Sequence, residues 1–226
     1  MKKRKLWMPA LAVAALALLI AAIGGAAAYL NDREAHTGSV TLAPALEIAL
    51  VQPAWKGGAD SVRPNQLIDK DPRVQNKSGF DVYAFIEVTV PYVDDLVAQD
   101  AAGNPLNDGQ PGGALYTYTL EPGWAAVEEP VLEADGQGGK RLRCAYAWME
   151  DGKLTLLGAG ETTGPLFTQV QVVNYSQATL GEKQRLTVSA YALDAAVSED
   201  GNREAPRTPQ AMWGLLKDTH PAETEE

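Results

Sequence analysis

Few residues of this chain are equipped for chemistry. Among 226 residues there are two histidines, His36 and His220, and one cysteine, Cys144. No His-Glu-x-x-His pair and no Cys/His cluster has metal-ligand spacing, so a zinc site has no support. Neither histidine stands at a strand end beside a nucleophile, which leaves a Ser-His-Asp relay without its base. Both read as exposed residues of terminal segments. Gly158-Ala159-Gly160-Glu161-Thr162-Thr163-Gly164 has the glycines of a phosphate loop. It lacks the Lys-Ser/Thr that follows one and precedes a strand, so it reads as a turn. Asp94-Asp95, and the run Asp194, Ser198, Glu199, Asp200, Gly201, Asn202 and Glu204, offer oxygens to calcium. Their spacing matches no defined calcium loop, and a solvated acidic face is the expectation. Paired carboxylates for glycoside hydrolysis are a spatial property that sequence leaves open. No catalytic, cofactor-binding or metal residue is assigned.

Cys144 lies in Arg141-Leu142-Arg143-Cys144-Ala145-Tyr146-Ala147-Trp148. Period two puts Leu142, Cys144, Tyr146 and Trp148 on one strand face, which reads as a buried small hydrophobe among large ones. Trp55, Trp124 and Trp148 are candidates for ligand stacking. Trp124, in Pro122-Gly123-Trp124, is the best placed to be exposed, although core packing is the expectation for it too.

The elements that must carry these residues read as strands separated by Gly, Pro and Asn/Asp turns, with no long helical period. A strand pair or bent strand is expected from Val40-Thr41-Leu42 through Ile48-Ala49-Leu50, interrupted at Pro44. A short strand follows at Asp71–Gln75. Phe80–Val90 is the strongest, with Val82, Ala84, Ile86, Val88 and Val90 on one face and Tyr83, Phe85, Glu87 and Thr89 on the other; Pro91 is expected to end it. Residues 99–114 read as a polar surface loop. Strands are then expected at Leu115–Glu121, Lys140–Met149, Leu154–Leu157, Phe167–Asn174 and Arg185–Leu193, with an Asp151-Gly152 hairpin turn between the second and third of these. Thr208 and Pro209 open a single late helix with Met212, Trp213, Leu215 and Leu216 as its apolar face. Eight or nine short strands predict an all-β, antiparallel, jelly-roll-like sandwich with one short C-terminal helix. Nothing in the pattern splits residues 29–226 into two domains, and residues 217–226 form an acidic tail.

Residues 1–28 have a different composition. Lys2, Lys3, Arg4 and Lys5 precede the uncharged run Leu6–Ile23, and Ala26-Ala27-Ala28 supplies small residues for a signal peptidase. Cleavage is expected after Ala28, with Ala26 and Ala28 at the recognised positions and Tyr29 as the new N-terminus. A helix of this length also suits an uncleaved anchor; Gly24-Gly25 and the alanines favour cleavage. Neither a lipoprotein anchor nor a sortase-type tail is expected. The leader holds four of the 19 basic residues and no acidic one, so 15 basic face 29 acidic residues in the remainder, a net of −14. That field disfavours nucleic acid and anionic lipid. With one cysteine, stability comes from packing or from assembly.

Gly24-Gly25-Ala26-Ala27-Ala28-Tyr29-Leu30-Asn31-Asp32 resembles the export signal of the bacterial TasA/camelysin family, with Leu30 where an aromatic is usual. Val62-Arg63-Pro64-Asn65-Gln66-Leu67-Ile68-Asp69-Lys70-Asp71 and the stretch on to Gly79 resemble that family's next motif, with Asn65 replacing the usual Gly. Asp81–Val88, Gly160–Phe167, Leu186–Ala192 and Ala211-Met212-Trp213 follow in the family's order. The resemblance implies export through a SipW-type signal peptidase and a secreted jelly-roll subunit of biofilm-matrix or cell-surface fibres. It further implies self-association, with an anchoring or nucleating partner left open, and membrane contact only through the uncleaved leader. An N-terminal strand donated to the next subunit is then expected within residues 29–50, with Leu30, Val40, Leu42, Leu46, Ile48 and Leu50 as its apolar positions. Camelysin-like relatives are classed as metallopeptidases, an activity for which these residues supply no zinc ligands. A monomeric module gripping carbohydrate or protein through its loops is the competing reading.

Overall fold

A strand whose side chains are large and apolar on both faces must be covered twice, and this requirement organises the chain. The computed structural model describes residues 46–55, 63–100, 102–136, 138–180, 184–195 and 208–217. All of them fall in one unit, Pro44–Glu226. The expected leader, Ala26, Ala28, Tyr29, Leu30, Val40, Leu42, His36, His220, Ser198–Glu204 and residues 218–226 lie outside the described residues.

In chain order the strands are β1 (Ile48–Val51), β2 (Leu67–Asp69), β3 (Arg73–Asn76), β4 (Val82–Val93), β5 (Val97–Ala98), β6 (Gly113–Ala114), β7 (Tyr116–Tyr118), β8 (Trp124–Ala126), β9 (Val131–Ala134), β10 (Lys140–Glu150), β11 (Lys153–Leu154), β12 (Leu156–Leu157), β13 (Gln169–Val172), β14 (Tyr175–Gln177) and β15 (Thr187–Asp194), followed by helix α1 (Pro209–Leu216). Their pairings are antiparallel. In the main sheet β4 is central. β10 runs along one edge from Ala147↔Phe85 to Lys140↔Tyr92, and β15 along the other from Asp194↔Val82 to Thr187↔Thr89. β8 and β9 lie outside β10. The facing layer contains the pair β1–β3 and the sheet β2–β13–β7, with β14–β5 as a further pair. The result is an all-β antiparallel sandwich with one short helix.

Between the layers, Val82, Ala84, Ile86 and Val88 of β4 meet Leu50, Val74, Leu166, Phe167, Val170 and Val172, all buried. Each of the Val, Leu, Ile and Phe side chains among them contributes roughly 1.5–3 kcal/mol on burial. The opposite face of β4 is covered by α1. Trp213 lies over Phe85 with ring centroids 6.2 Å apart and meets Tyr191 edge-on at 5.3 Å. Met212 and Leu216 complete this second core with Val127, Ala145 and Ala147. The Thr208 hydroxyl accepts from the Ala211 N–H at 3.2 Å, and Pro209 occupies the first turn, where its missing N–H costs nothing. Leu215, expected on the apolar face, is exposed, because the buried stripe runs through Met212, Trp213 and Leu216 instead.

Three other expectations change. Pro91 does not end its strand, which continues to Val93. It sits where β4 exchanges partners, β15 stopping at Thr89 and β6 starting at Tyr92, and its carbonyl accepts from Leu115 N–H. A residue without an N–H is tolerated at such a gap. The strands number fifteen among the described residues, because edges are built from two- to four-residue pieces too short to show a period. The strand expected at Asp71–Gln75 runs from Arg73 to Asn76, since Asp71 is engaged elsewhere. The Asp151-Gly152 turn is as expected, both residues having positive φ (49° and 74°). Asn65 also has positive φ (63°), which explains why asparagine serves at a glycine-type position.

Asn76 ties the layers together. It is fully buried, and its amide donates to the carbonyls of Phe80, Leu157 and Gly158 at 2.8–3.0 Å while its Oδ1 accepts from Ser78 N–H. Asn76→Ala strands these groups without water, and urea unfolding should show a loss of about 2–4 kcal/mol. A loss below about 1 kcal/mol contradicts the assignment.

Candidate functional site

The N-terminal end of the described body is anchored on both sides of β1. Leu50 and Ala49 are buried, Ile48 packs against the main core, and the four residues Ile48–Val51 pair in register with Asn76–Arg73 of the same chain. Before β1, the Glu47 N–H donates to the Ser78 hydroxyl and the Glu47 carbonyl accepts from it and from Lys77 N–H. After β1, the Ala54 N–H donates to the Asp71 carboxylate at 2.7 Å, and the Lys70 ammonium lies 4.3 Å from the centroid of the Trp55 ring. Ile48 and Leu50 are thus strand residues of this chain's own sheet, and Leu46 is exposed just ahead of it. Of the donor positions, only Leu30, Val40 and Leu42 precede this body.

Lys70 and Asp71 are both buried polar residues. Burial lowers the Lys70 ammonium to about 8, and the adjacent Asp71 carboxylate only partly offsets it. Arg73 approaches Asp71 at 3.4 Å, but its Nε makes no hydrogen bond. This clamp was not singled out from sequence; the only signal for it was a Lys-Asp pair ahead of a strand.

A second polar feature lies on the outer face of the main sheet, beside α1. Alternation along β10 sends Leu142 and Cys144 inward and Arg141 and Arg143 outward. The Arg143 guanidinium contacts Glu128 at 3.0 Å, Glu87 at 3.4 Å and Glu133 at 3.8 Å, while Arg141 holds Glu133 at 2.7 Å. With Lys217, the residues Glu87, Glu133, Arg141 and Arg143 line a cavity of about 290 Å³. Glu128 also accepts from the Trp213 indole N–H at 3.0 Å, so the network helps to seat α1. Burial raises the Glu87 carboxyl, with Arg143 opposing that shift. Tyr191 is pushed up to about 12 by burial and by Glu87. The lining holds two carboxylates, two guanidiniums and a lysine, and Glu128 lies against Arg143 beside it, so the charges largely compensate one another.

The remaining candidates are structural. Cys144 is buried beside the hydroxyl pair Tyr118–Tyr146, whose oxygens are 2.8 Å apart. Trp124 is buried, edge-on to Trp148 at 5.4 Å, and its indole donates to Gly164 carbonyl. Gly123 ahead of it has φ +92°, and a Cβ there would collide with the Trp148 ring, so the Pro-Gly-Trp sequence is a packing device rather than a stacking platform. The Gly158–Gly164 segment is a turn docked on β3, with the Thr163 hydroxyl accepting from Val74 N–H. Asp94 pairs with Lys140 at 2.7 Å, and Asp95 accepts from the N–H and hydroxyl of Thr179, which lower its carboxyl. Neighbouring protein groups thus engage Asp94 and Asp95, the described pair of the carboxylates considered for calcium. Among the described residues no group of three or more His, Cys, Asp or Glu is placed to hold a metal.

The chain matches no protein-family model and no curated protein.

Since the folded state lowers Lys70, the charged amine costs stability in full below about pH 8, and this cost falls away as pH rises through 10.5, above which the amine is neutral folded and unfolded alike. The parent should therefore gain stability in urea titrations as pH rises from about 8 through 10.5, and Lys70→Met should lose that rise. A rise that persists in Lys70→Met contradicts the assignment to this amine.

Proposed function

We propose that this chain is a secreted structural protein, a subunit of extracellular matrix or cell-surface fibres joined by strand exchange. One observation carries the reading. Among the described residues β1 is already paired to β3 and packed on the main core, so the segment we assign to another chain is the one ahead of it, residues 29–45. The patterning of Val40-Thr41-Leu42 suits a strand, and main-chain hydrogen bonding to an open sheet edge supplies affinity without a dedicated pocket. The resemblance of the leader and of the ordered motifs to the TasA/camelysin family supports export and assembly together. Signal removal would then free the donor from the membrane. The proposal assigns no catalytic residue and no cofactor.

The charged cavity around Arg143 favours a second reading, a monomeric surface module that binds a polar ligand.

Electron microscopy and sedimentation of the chain beginning at Tyr29, beside one beginning at Leu46, separate the two. Strand exchange predicts fibres from the first and folded monomers from the second. Monomers from both sink the fibre reading and favour the module.

A further inference from the structure

Strand exchange needs an acceptor, and the sheet edges of this body are not equivalent. β15 pairs β4 on one side only, yet Val188, Ala190, Tyr191 and Ala192 are all buried, so its faces are already covered. β2 is three residues long, with Leu67 exposed and Asp69 engaged by the Gln169 side chain. β9 is different. It makes four register pairs with β10, from Arg143↔Val131 to Lys140↔Ala134, and has no strand on its outer side among the described residues. Val131 and Leu132, which point to opposite faces, are exposed by 37% and 47%. Sheet edges are ordinarily blunted by charge or proline at such positions. Here Pro130 stands before the strand and the charged Glu133 is drawn back onto Arg141, which leaves two apolar side chains and a row of main-chain groups open.

We propose that the outer edge of β9 is the acceptor, and that its occupant is residues 38–43 of a second copy. This rests on the fibre reading. Gly38-Ser39-Val40-Thr41-Leu42-Ala43 carries no charge, so it enters without repulsion between Glu129 and Asp135, the acidic residues flanking β9. Val40 and Leu42 share one face of a strand. Laid against β9 they extend the apolar row formed by Leu132 and its cross-strand partner Leu142, which packs on the main core. Residues 29–45 at about 3.3 Å each reach on the order of 55 Å, enough to bridge neighbouring bodies.

The test uses the mature chain from Tyr29 and two substitutions at exposed leucines, Leu132→Lys on β9 and Leu67→Lys on β2. Circular dichroism confirms that each remains folded. Leu132→Lys should reduce fibre yield by at least about tenfold while Leu67→Lys assembles like the parent. Hydrogen exchange should show the outward amides of β9 protected in fibres and open in monomers. Normal assembly of Leu132→Lys overturns the acceptor and leaves the fibre reading standing. Protection of β9 already in the monomer means that the chain's own segment covers the edge, and overturns it as well. A parent chain that forms no fibres removes both.

Discussion

The double burial of β4 is the constraint on which the rest of the structure depends. Val82, Ala84, Ile86, Val88 and Val90 on one face and Phe85 on the other are buried, so one sheet face requires a facing layer and the other requires a helix. β10 and β15 satisfy its main-chain groups on either edge. The alternation that turns Cys144 and Tyr146 toward the main core also turns Ala145 and Ala147 toward α1. The helix is only eight residues long, too short to persist alone. It exists because Trp213 and Met212 fill the outer face.

The same alternation determines where polar chemistry can sit. Outward positions of β10 are apolar under the helix and charged beyond it, so Arg141 and Arg143 fall at the rim of the second core and gather Glu87, Glu128 and Glu133. One of these carboxylates, Glu128, doubles as the indole acceptor that positions Trp213. At the other end of the body, buried Asn76, Ser78, Lys70 and Asp71 hold both ends of β1. Among the described residues these buried polar groups fasten loops to strands.

Long elements were legible in the sequence and short ones were not. The two faces of β4, the inward row of β10, the Asp151-Gly152 turn and the Thr208-Pro209 cap each rest on local patterns, and local patterns survive into the fold. β5, β6, β8 and β14 are two or three residues long and held by partners far along the chain, and β9 is a four-residue arm of a local hairpin with β10, so no period marks them. Pro91 misled because its effect depends on which neighbour lies across from it. Trp124 was legible as a core residue from its chemistry, but the collision that requires Gly123 depends on Trp148, some two dozen residues away. The Arg143 network was foreshadowed by the outward face of β10, whereas its carboxylates come from three other segments. The open edge of β9 was not legible, since exposure of Val131 and Leu132 follows from what fails to pack on them.

In the fibre we propose, each folded body is linked to the next by its N-terminal segment. Cryo-electron microscopy of fibres grown from the chain beginning at Tyr29 tests it most directly. The account predicts sandwich subunits with β4 still central and residues before Leu46 running as a strand on the neighbouring body. Fibres made of refolded, stacked cross-β chains, or fibres whose contacts leave that segment free, would contradict it.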